Sequence, residues 1–178
     1  MIDSRSTGYI PRLEIPIFNK LQMNLFSLLK PETILSELEV SSKQELISVL
    51  VDSLSEKIGA EHLQEVKDAV WEREQVMSTG VGKGLAIPHC KTEIVDENYG
   101  AFAVLKEPLE FNSVDDTPVR LVFLLVGPNE KNSIHIKLLS RISRLMNSGT
   151  FREQVFSCEN SQQILEAFRE EEEKYFPG

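Results

Sequence analysis

Apolar residues recur at two kinds of spacing along this chain. Helical spacing predicts helices, and alternation or a short continuous apolar run predicts strands. Ser42 and Glu45 have the spacing of a capping box, which predicts that a helix begins here. The helix that follows has an apolar face at helical spacing and a natural stop at Gly59. Its face consists of Leu46, Val49, Leu50, Leu54 and Ile58. A second helix is indicated by Leu63, Val66, Ala69 and Val70.

The second half of the chain continues in the same way. Residues 33–40 and 99–106 are predicted to be strands, and the almost wholly apolar run 118–126 predicts a strand buried on both faces. After a break at 127–129, Ser133 is predicted to cap a helix that ends at Gly149, with an apolar stripe of Ile134, Leu138, Ile142, Leu145 and Met146. A last helix is predicted over 161–174, and its acidic run 170–173 is predicted to be solvated. Helices interleaved with strands indicate a single α/β layered domain.

Residues 1–22 read differently from the rest. They contain Pro11 and Pro16, mixed charge and no sustained helical period, so we expect an N-terminal arm or extension. Met23 begins a new apolar pattern and is a candidate biological start. The domain is therefore expected to span residues 23–178.

Composition narrows the class of partner. The formal net charge of -9 disfavours nucleic acid, which requires a basic surface, and favours a basic protein partner. No apolar run reaches the roughly 20 residues that cross a bilayer, and the first residues lack the core of a signal peptide. We expect a cytoplasmic protein without direct membrane insertion. Its two cysteines, Cys90 and Cys158, are expected to be reduced.

The chemistry concentrates in the Gly-rich segment 78–89, which ends at His89 and follows Arg73. A neutral imidazole is a competent nucleophile near pH 7 because its usual pKa is about 6.5. Phosphoryl transfer depends mainly on positioning and on donors that stabilise the equatorial oxygens, which Arg73 and the loop amides could supply. Pro88 fixes its own φ and restricts Ile87, so the His89 ring is aimed in few directions.

From Arg73 to His89 the chain reads Arg-Glu-x-x-x-Ser-Thr-Gly-x-Gly-x-Gly-x-Ala-Ile-Pro-His. This segment resembles the active-site signature of enzyme IIA domains of the fructose/mannitol class of the phosphoenolpyruvate-dependent phosphotransferase system. The segment 135–142, which begins at His135, resembles the later histidine-containing helix of that family. The resemblance extends from about Met23 to the C-terminal helix. Without a fused IIB or IIC segment, the chain is most similar to the stand-alone, nitrogen-regulatory branch.

The resemblance implies a mixed central sheet flanked by helices and a phosphocarrier that needs no cofactor. It implies that His89 accepts the phosphoryl group from an HPr-like protein, while Arg73 and His135 contact that group or orient the ring. Ser78, Thr79 and Gly80 are the expected phosphate-binding residues. If His135 lies at a helix N-terminus, the helix dipole would lower its pKa and keep it neutral.

Other interpretations stay open. The chain could be a sugar-uptake component that donates to a separate IIB cysteine, or a regulatory binding module that is never phosphorylated. A metal-dependent hydrolase using His89 and His135 lacks carboxylate ligands at a recognisable spacing, and no metal site is expected. Arg73 alone could be a surface ion-pair partner of Glu72 or Glu74.

Overall fold

The computed structural model describes residues 24–177, so the predicted arm and the status of Met23 lie outside the described residues. Within this range there are six strands and seven α-helices. The strands are β1 (Ile34–Leu38), β2 (Gly80–Gly82), β3 (Leu85–Ala86), β4 (His89–Thr92), β5 (Tyr99–Leu109) and β6 (Val119–Pro128). The helices are α1 (Leu25–Leu28), α2 (Lys43–Asp52), α3 (Ser55–Ile58), α4 (Leu63–Val76), α5 (Asn132–Met146), α6 (Gly149–Ser157) and α7 (Ser161–Tyr175).

The strands form one mixed sheet in the order β1-β5-β6-β3-β2, and β4 also pairs with β6. β5 and β6 are antiparallel to each other, whereas β1 lies parallel to β5 and both β3 and β4 lie parallel to β6. β6 is buried along almost its whole length. The predicted α/β class with a mixed central sheet is confirmed.

Two apolar cores cover the two faces of the sheet. On one face, α1, α5, α6 and α7 pack around Phe102, Phe123 and Phe168. On the other face, α2, α3 and α4 pack against Ala101, Ala103, Val122 and Leu124. Neighbouring residues of β5 and β6 therefore face opposite cores, as the pleat of a strand requires. No helix within residues 24–177 has the length and apolar character needed to cross a bilayer.

The helix predicted to begin after Ser42 is two helices. The Ser42 hydroxyl accepts the amide of Glu45 as predicted, and the end at Gly59 is also confirmed. The helix is interrupted at Ser53. The Ser53 hydroxyl donates to the Leu50 carbonyl at 2.7 Å and so competes with the backbone hydrogen bonds of the helix. Leu54 stays buried in the same core, which explains why the apolar period runs through the break.

Between positions 127 and 157, further boundaries of strands and helices differ from those predicted. Gly127 and Pro128 end strand β6, where a break was predicted. Helix α5 begins at Asn132, and Lys131 precedes it without a side-chain cap, so the predicted Ser133 cap is wrong. Gly149 begins helix α6, which the sequence did not predict; the Ser148 hydroxyl caps it by accepting the Phe151 amide.

The acidic run on the last helix is only partly solvated. Glu171 and Glu172 are buried, with 4% and 2% of their surface exposed, so the prediction of a wholly solvated face is wrong for these two residues. Glu172 accepts the backbone amides of Leu25 and Phe26 from helix α1. The burial of Glu172 thus depends on a partner that is distant in sequence and invisible to a local pattern, whereas Glu171 pairs with Lys174 of its own helix.

Candidate functional site

His89 is the first residue of β4 and pairs with Leu125 of β6. Its Nδ1 donates to the Ile87 carbonyl at 2.7 Å. Since a carbonyl only accepts, this bond places the ring proton on Nδ1 and leaves the lone pair on Nε2. Burial, followed by the positive charge of Arg73, lowers the pKa of His89, against the opposing effects of the Ile87 bond and Glu74. The half-buried ring is therefore a neutral nucleophile at pH 7.

His135 meets His89 across the sheet edge, with ring centroids 5.9 Å apart and planes inclined by 52°. It lies in the first turn of α5, as predicted, and only 4% of its surface is exposed. Burial above all, then electrostatic interactions with His89 and Lys91, lower its pKa to about 4. The expected neutral form is therefore supported, but burial rather than the helix dipole is the leading cause.

The His135 ring has one satisfied edge and one unsatisfied edge. Nδ1 lies 3.4 Å from Oδ1 of Asn98, whereas Nε2 is buried and has no hydrogen-bond partner among the described residues. A buried polar atom without a partner costs about 1–3 kcal/mol. Such an atom beside a nucleophile is the arrangement expected where a bound group supplies the missing partner.

Gly127 makes this packing possible. A Cβ at this position would lie 2.5 Å from Nδ1 of His135 and would also overlap Oδ1 of Asn98. Any side chain here would displace the histidine ring. Nothing in the sequence indicated a role for Asn98, and Gly127 was interpreted only as a chain break, although a glycine in a strand is a known sign of close approach.

Arg73 lies in the last turn of α4, as predicted. Its Nη1 donates to the Met77 carbonyl at 3.0 Å. The alternative of an ion pair with Glu74 is wrong, because Glu74 instead binds Lys43, with 2.9 Å between Nζ and Oε1. The effect of Arg73 on the His89 pKa shows that its charge reaches the nucleophile.

Glu74 fixes the start of the segment that leads to His89 by hydrogen bonds, a role that the sequence did not predict. Its buried carboxylate accepts from the Thr79 amide at 3.0 Å and from the Thr79 hydroxyl at 2.5 Å. Ser78 donates to the Phe111 carbonyl at 2.8 Å, and its hydroxyl accepts the Gly80 amide at 3.2 Å. The donors of Ser78, Thr79 and Gly80 are thus already bonded within the chain, and their phosphate-binding role stays a prediction.

The glycines after Gly80 build a hairpin rather than an irregular loop. Strands β2 and β3 are antiparallel and joined through Gly82, Lys83 and Gly84, all of which have positive φ. Glycine adopts this backbone without strain, which explains two of the three residues. β3 pairs with β6 beside β4, so the hairpin seats the segment 85–89 on the central strand.

Cys90 and Lys91 follow His89 in strand β4 and have different surroundings. Cys90 is buried on the opposite side of the strand, and burial raises its pKa to about 12, so its thiol is an inert core group. Lys91 follows two residues after His89, is exposed, and its Nζ donates to Asn132 at the start of α5. Its charge acts on His135, and the strand period from His89 would have identified it. No cluster of three metal-binding side chains exists within residues 24–177.

The amino-acid sequence is similar to those of a nitrogen regulatory protein and of a fructose-specific phosphotransferase-system component. It is 35% identical over 142 residues to a nitrogen regulatory protein of Bradyrhizobium diazoefficiens, covering 80% of this chain and 92% of that protein. It is 33% identical over 144 residues to the fructose-specific EIIABC component of Bacillus subtilis, covering 81% of this chain but only 23% of that longer protein.

Solved structures agree with these relatives. The nitrogen regulatory protein IIA-Ntr of Neisseria meningitidis superposes with a TM-score of 0.76 at 28% identity, covering 80% of this chain and 97% of that one. Residues 27–171 match the family described as phosphoenolpyruvate-dependent sugar phosphotransferase system, EIIA 2. This match spans most of the chain and includes Arg73, His89 and His135. The protein therefore belongs to the EIIA 2 family of the phosphoenolpyruvate-dependent phosphotransferase system.

Proposed function

We propose that this protein is a phosphocarrier that accepts a phosphoryl group on Nε2 of His89 from the phosphohistidine of an HPr-like protein. The single observation that carries the proposal is the geometry of His89: its Nδ1 donates to the Ile87 carbonyl, which leaves the lone pair on Nε2, and the His135 ring lies 5.9 Å away between ring centroids. Nε2 of His135 is buried and has no hydrogen-bond partner among the described residues. The family membership supports the same reaction class.

The transfer needs only groups that the two proteins supply. The Nε2 lone pair of His89 forms the new N–P bond while the N–P bond to the donor ring breaks and returns its electron pair to that ring. Because the group passes from one nitrogen to another, no water or metal takes part in the balance. The Ile87 carbonyl holds the Nδ1 edge of the ring throughout, which keeps Nε2 directed at the phosphorus.

Arg73 and His135 stabilise the transferred group in this proposal. The guanidinium of Arg73 interacts with its negative charge. His135 donates from Nε2, which requires its ring proton on Nε2 and the Asn98 amide turned so that its nitrogen, rather than Oδ1, contacts Nδ1. One well-directed donor of this kind is worth about 3–4 kcal/mol in the transition state. Contacts from Ser78, Thr79 and Gly80 would require their present internal bonds to rearrange, so we assign these residues mainly to holding the segment in place.

The surroundings of the site support a protein as the phosphoryl donor. Val76 and Met77 follow Arg73 and are 82% and 68% exposed, and Ile136 follows His135 and is 65% exposed. Exposed large apolar side chains beside a reactive site are typical of protein docking surfaces. The net charge of -9 favours a basic or mixed-charge partner such as an HPr-like carrier.

We further propose that the phosphorylation state serves regulation. The nitrogen regulatory relative matches along nearly its whole length, which supports this role over transport. The second candidate is a sugar-uptake relay to a separate IIB cysteine, which the fructose-specific relative favours. Incubating the phosphorylated protein with an isolated fructose-type IIB domain separates them: rapid loss of the phosphoryl group to the IIB cysteine would favour the relay.

The primary test is intact-mass analysis after incubation with phosphoenolpyruvate, enzyme I and an HPr-type carrier. We expect an acid-labile gain of about 80 Da in the wild type and none in His89→Ala. His62→Ala is the matched control, since His62 is an exposed histidine on the turn Ala60–His62, and it should be phosphorylated normally. A folded wild type that gains no mass with several carriers would overturn the proposal and favour a binding module that is never phosphorylated.

A further inference from the structure

A second concave site lies beside the histidine pair. It has a volume of about 360 Å³ and is formed by α1, the segment after it, α3 and the residues that precede β5. This volume falls within the range of about 300–1,000 Å³ typical of small-molecule pockets. Leu28, Leu54 and Tyr99 supply apolar surface to its wall.

The charges around this cavity are opposite in sign to the protein as a whole. Lys30, Lys57 and Lys131 line it, against a single lining carboxylate, Glu97. Lys131 donates to the main-chain carbonyl of Asp96, a bond that leaves its charge uncompensated. Neither Lys30 nor Lys57 makes an ion pair within residues 24–177. A local surplus of cations in a chain of net charge -9 attracts an anion.

Tyr99 adds a hydrogen-bond donor. Burial, followed by the negative charges of Asp96 and Glu97, raises the pKa of its hydroxyl, which therefore stays protonated at neutral pH. Those two acidic residues oppose an anion on the Tyr99 side. Lys30 and Lys57, which line the cavity from other segments of the chain, are therefore the candidate partners of an acidic head group, and an apolar body would lie against Leu28 and Leu54.

We propose that this cavity binds a small amphipathic organic anion, with its acidic head at Lys30 and Lys57 and its apolar body against the leucines. Binding of the anion in the cavity also changes the surroundings of His135. Asn98 forms part of the cavity wall, and its Oδ1 lies 3.4 Å from Nδ1 of His135. An occupant that moves the Asn98 side chain therefore moves the hydrogen-bond partner of the histidine. The proposal does not depend on phosphoryl transfer.

The test is an NMR titration of the full chain, with its leucine methyl groups labelled, using three probes of equal length: hexanoate, hexylammonium and hexan-1-ol. We expect hexanoate to shift the methyl signals of Leu28 and Leu54 and to bind about tenfold more tightly than the other two probes. Equal binding of all three would overturn the assignment to an anion. Absence of shifts at both leucines up to the solubility limit would overturn the site.

Variants locate the anion. In Lys30→Ala/Lys57→Ala we expect hexanoate to bind about tenfold more weakly. Lys106→Ala is the matched control, because Lys106 is also exposed but pairs with Glu39 and does not line this cavity; its affinity should be unchanged. Equal weakening by the control would overturn the assigned head-group position.

The connection to the histidine has its own readout. Saturating hexanoate should shift the imidazole nitrogen signals of His135 in the wild type. In Asn98→Ala the leucine methyl shifts should persist while the His135 shift is lost. A His135 shift that survives this substitution would show that Asn98 does not transmit binding.

Discussion

Two buried carboxylates, Glu74 and Glu172, each bind a backbone amide of another segment, and the consequences for the molecule differ. Glu74, near the C-terminal end of α4, accepts from the amide and hydroxyl of Thr79 and binds the ammonium group of Lys43. That ammonium also lies 4.3 Å from the centre of the Phe111 ring. Glu74 therefore ties the helix of Arg73 to the segment that ends at His89.

Glu172 performs the equivalent task between helices α1 and α7. Both of its oxygens lie 2.8 Å from the Leu25 amide, and Nη1 of Arg141 lies 3.3 Å from one of them. Burial raises the pKa of Glu172, against the lowering effects of the backbone amides and Arg141. This carboxylate joins residues 147 positions apart in sequence.

The comparison separates stability from function. Both carboxylates satisfy backbone amides of a neighbouring segment, so both contribute to folding. Only Glu74 lies next in sequence to a site residue and bonds to the segment that leads to the nucleophile. Loss of Glu74 should therefore affect chemistry as well as stability, whereas changes at Glu172 should affect stability alone.

The largest effect is expected for Glu74→Ala. The substitution leaves the Lys43 ammonium without its partner in a largely buried position and frees the Thr79 amide, so we expect a loss of about 3–5 kcal/mol in unfolding free energy. Urea denaturation measures the loss, and the rate of His89 phosphorylation should also fall. The neighbouring exposed Glu72→Ala is the control and should change stability by less than about 0.5 kcal/mol.

If Glu74→Ala does not fold, Glu74→Gln keeps an oxygen acceptor for Thr79 and tests the same point. A folded Glu74 variant that accepts phosphate at the wild-type rate would show that this carboxylate supports only stability, and the contrast with Glu172 would disappear.

The second-largest effect is expected at acidic pH, where protonation of His135 lowers the unfolding free energy. His135 has a pKa of about 4 when folded and about 6.5 when unfolded, so between these values the unfolded chain binds the extra proton. The His135 contribution is intact above pH 6.5 and is lost as the pH falls towards 4, by up to about 3 kcal/mol. Urea denaturation at several pH values should show a flatter curve for His135→Gln over this window.

The contribution of Glu172 to the unfolding free energy changes with pH in the opposite direction, which gives a control within the same molecule. Because its folded pKa is raised, acidification through that pKa relieves an unfavourable buried charge and adds stability. If the wild type and His135→Gln lose stability in parallel between pH 6.5 and 4, His135 is not held neutral by burial.

The smallest effect is expected for Glu172→Gln. The amide keeps an oxygen for the Leu25 amide and removes a charge that burial disfavours, while the contact with Arg141 weakens. These terms oppose each other, so we expect a change within about 1 kcal/mol and an unaltered phosphorylation rate. A clear fall in that rate at unchanged stability would contradict the separation between the two carboxylates.

Some of this architecture could be predicted because it is encoded in local periods. The helix of Arg73 and the buried strand β6 follow from apolar spacing, which depends only on residues a few positions apart. The position of His135 in a first turn followed in the same way. The Arg73-to-His89 signature was also readable, since its residues are close together in sequence.

What could not be predicted depends on contacts between distant segments. Glu172 looked like one member of a solvated acidic run because its partner, the Leu25 amide, is supplied from the other end of the domain. Gly127 looked like a chain break because the Asn98 and His135 side chains that exclude a Cβ are placed there only by folding. Ser148 was not recognised as a helix cap because Gly149 was interpreted as a stop.

The sequence by itself determined the α/β class, most of the helices, three of the six strands of the described residues, and the residue types of the site, because each depends on local spacing or on one continuous motif. Only the tertiary structure decided which ring nitrogen of His89 is free, that His135 is neutral through burial, and that Glu74 forms its ion pair with Lys43 rather than with Arg73. Those properties depend on distances and on exclusion of water, and both exist only once the strands and helices have packed.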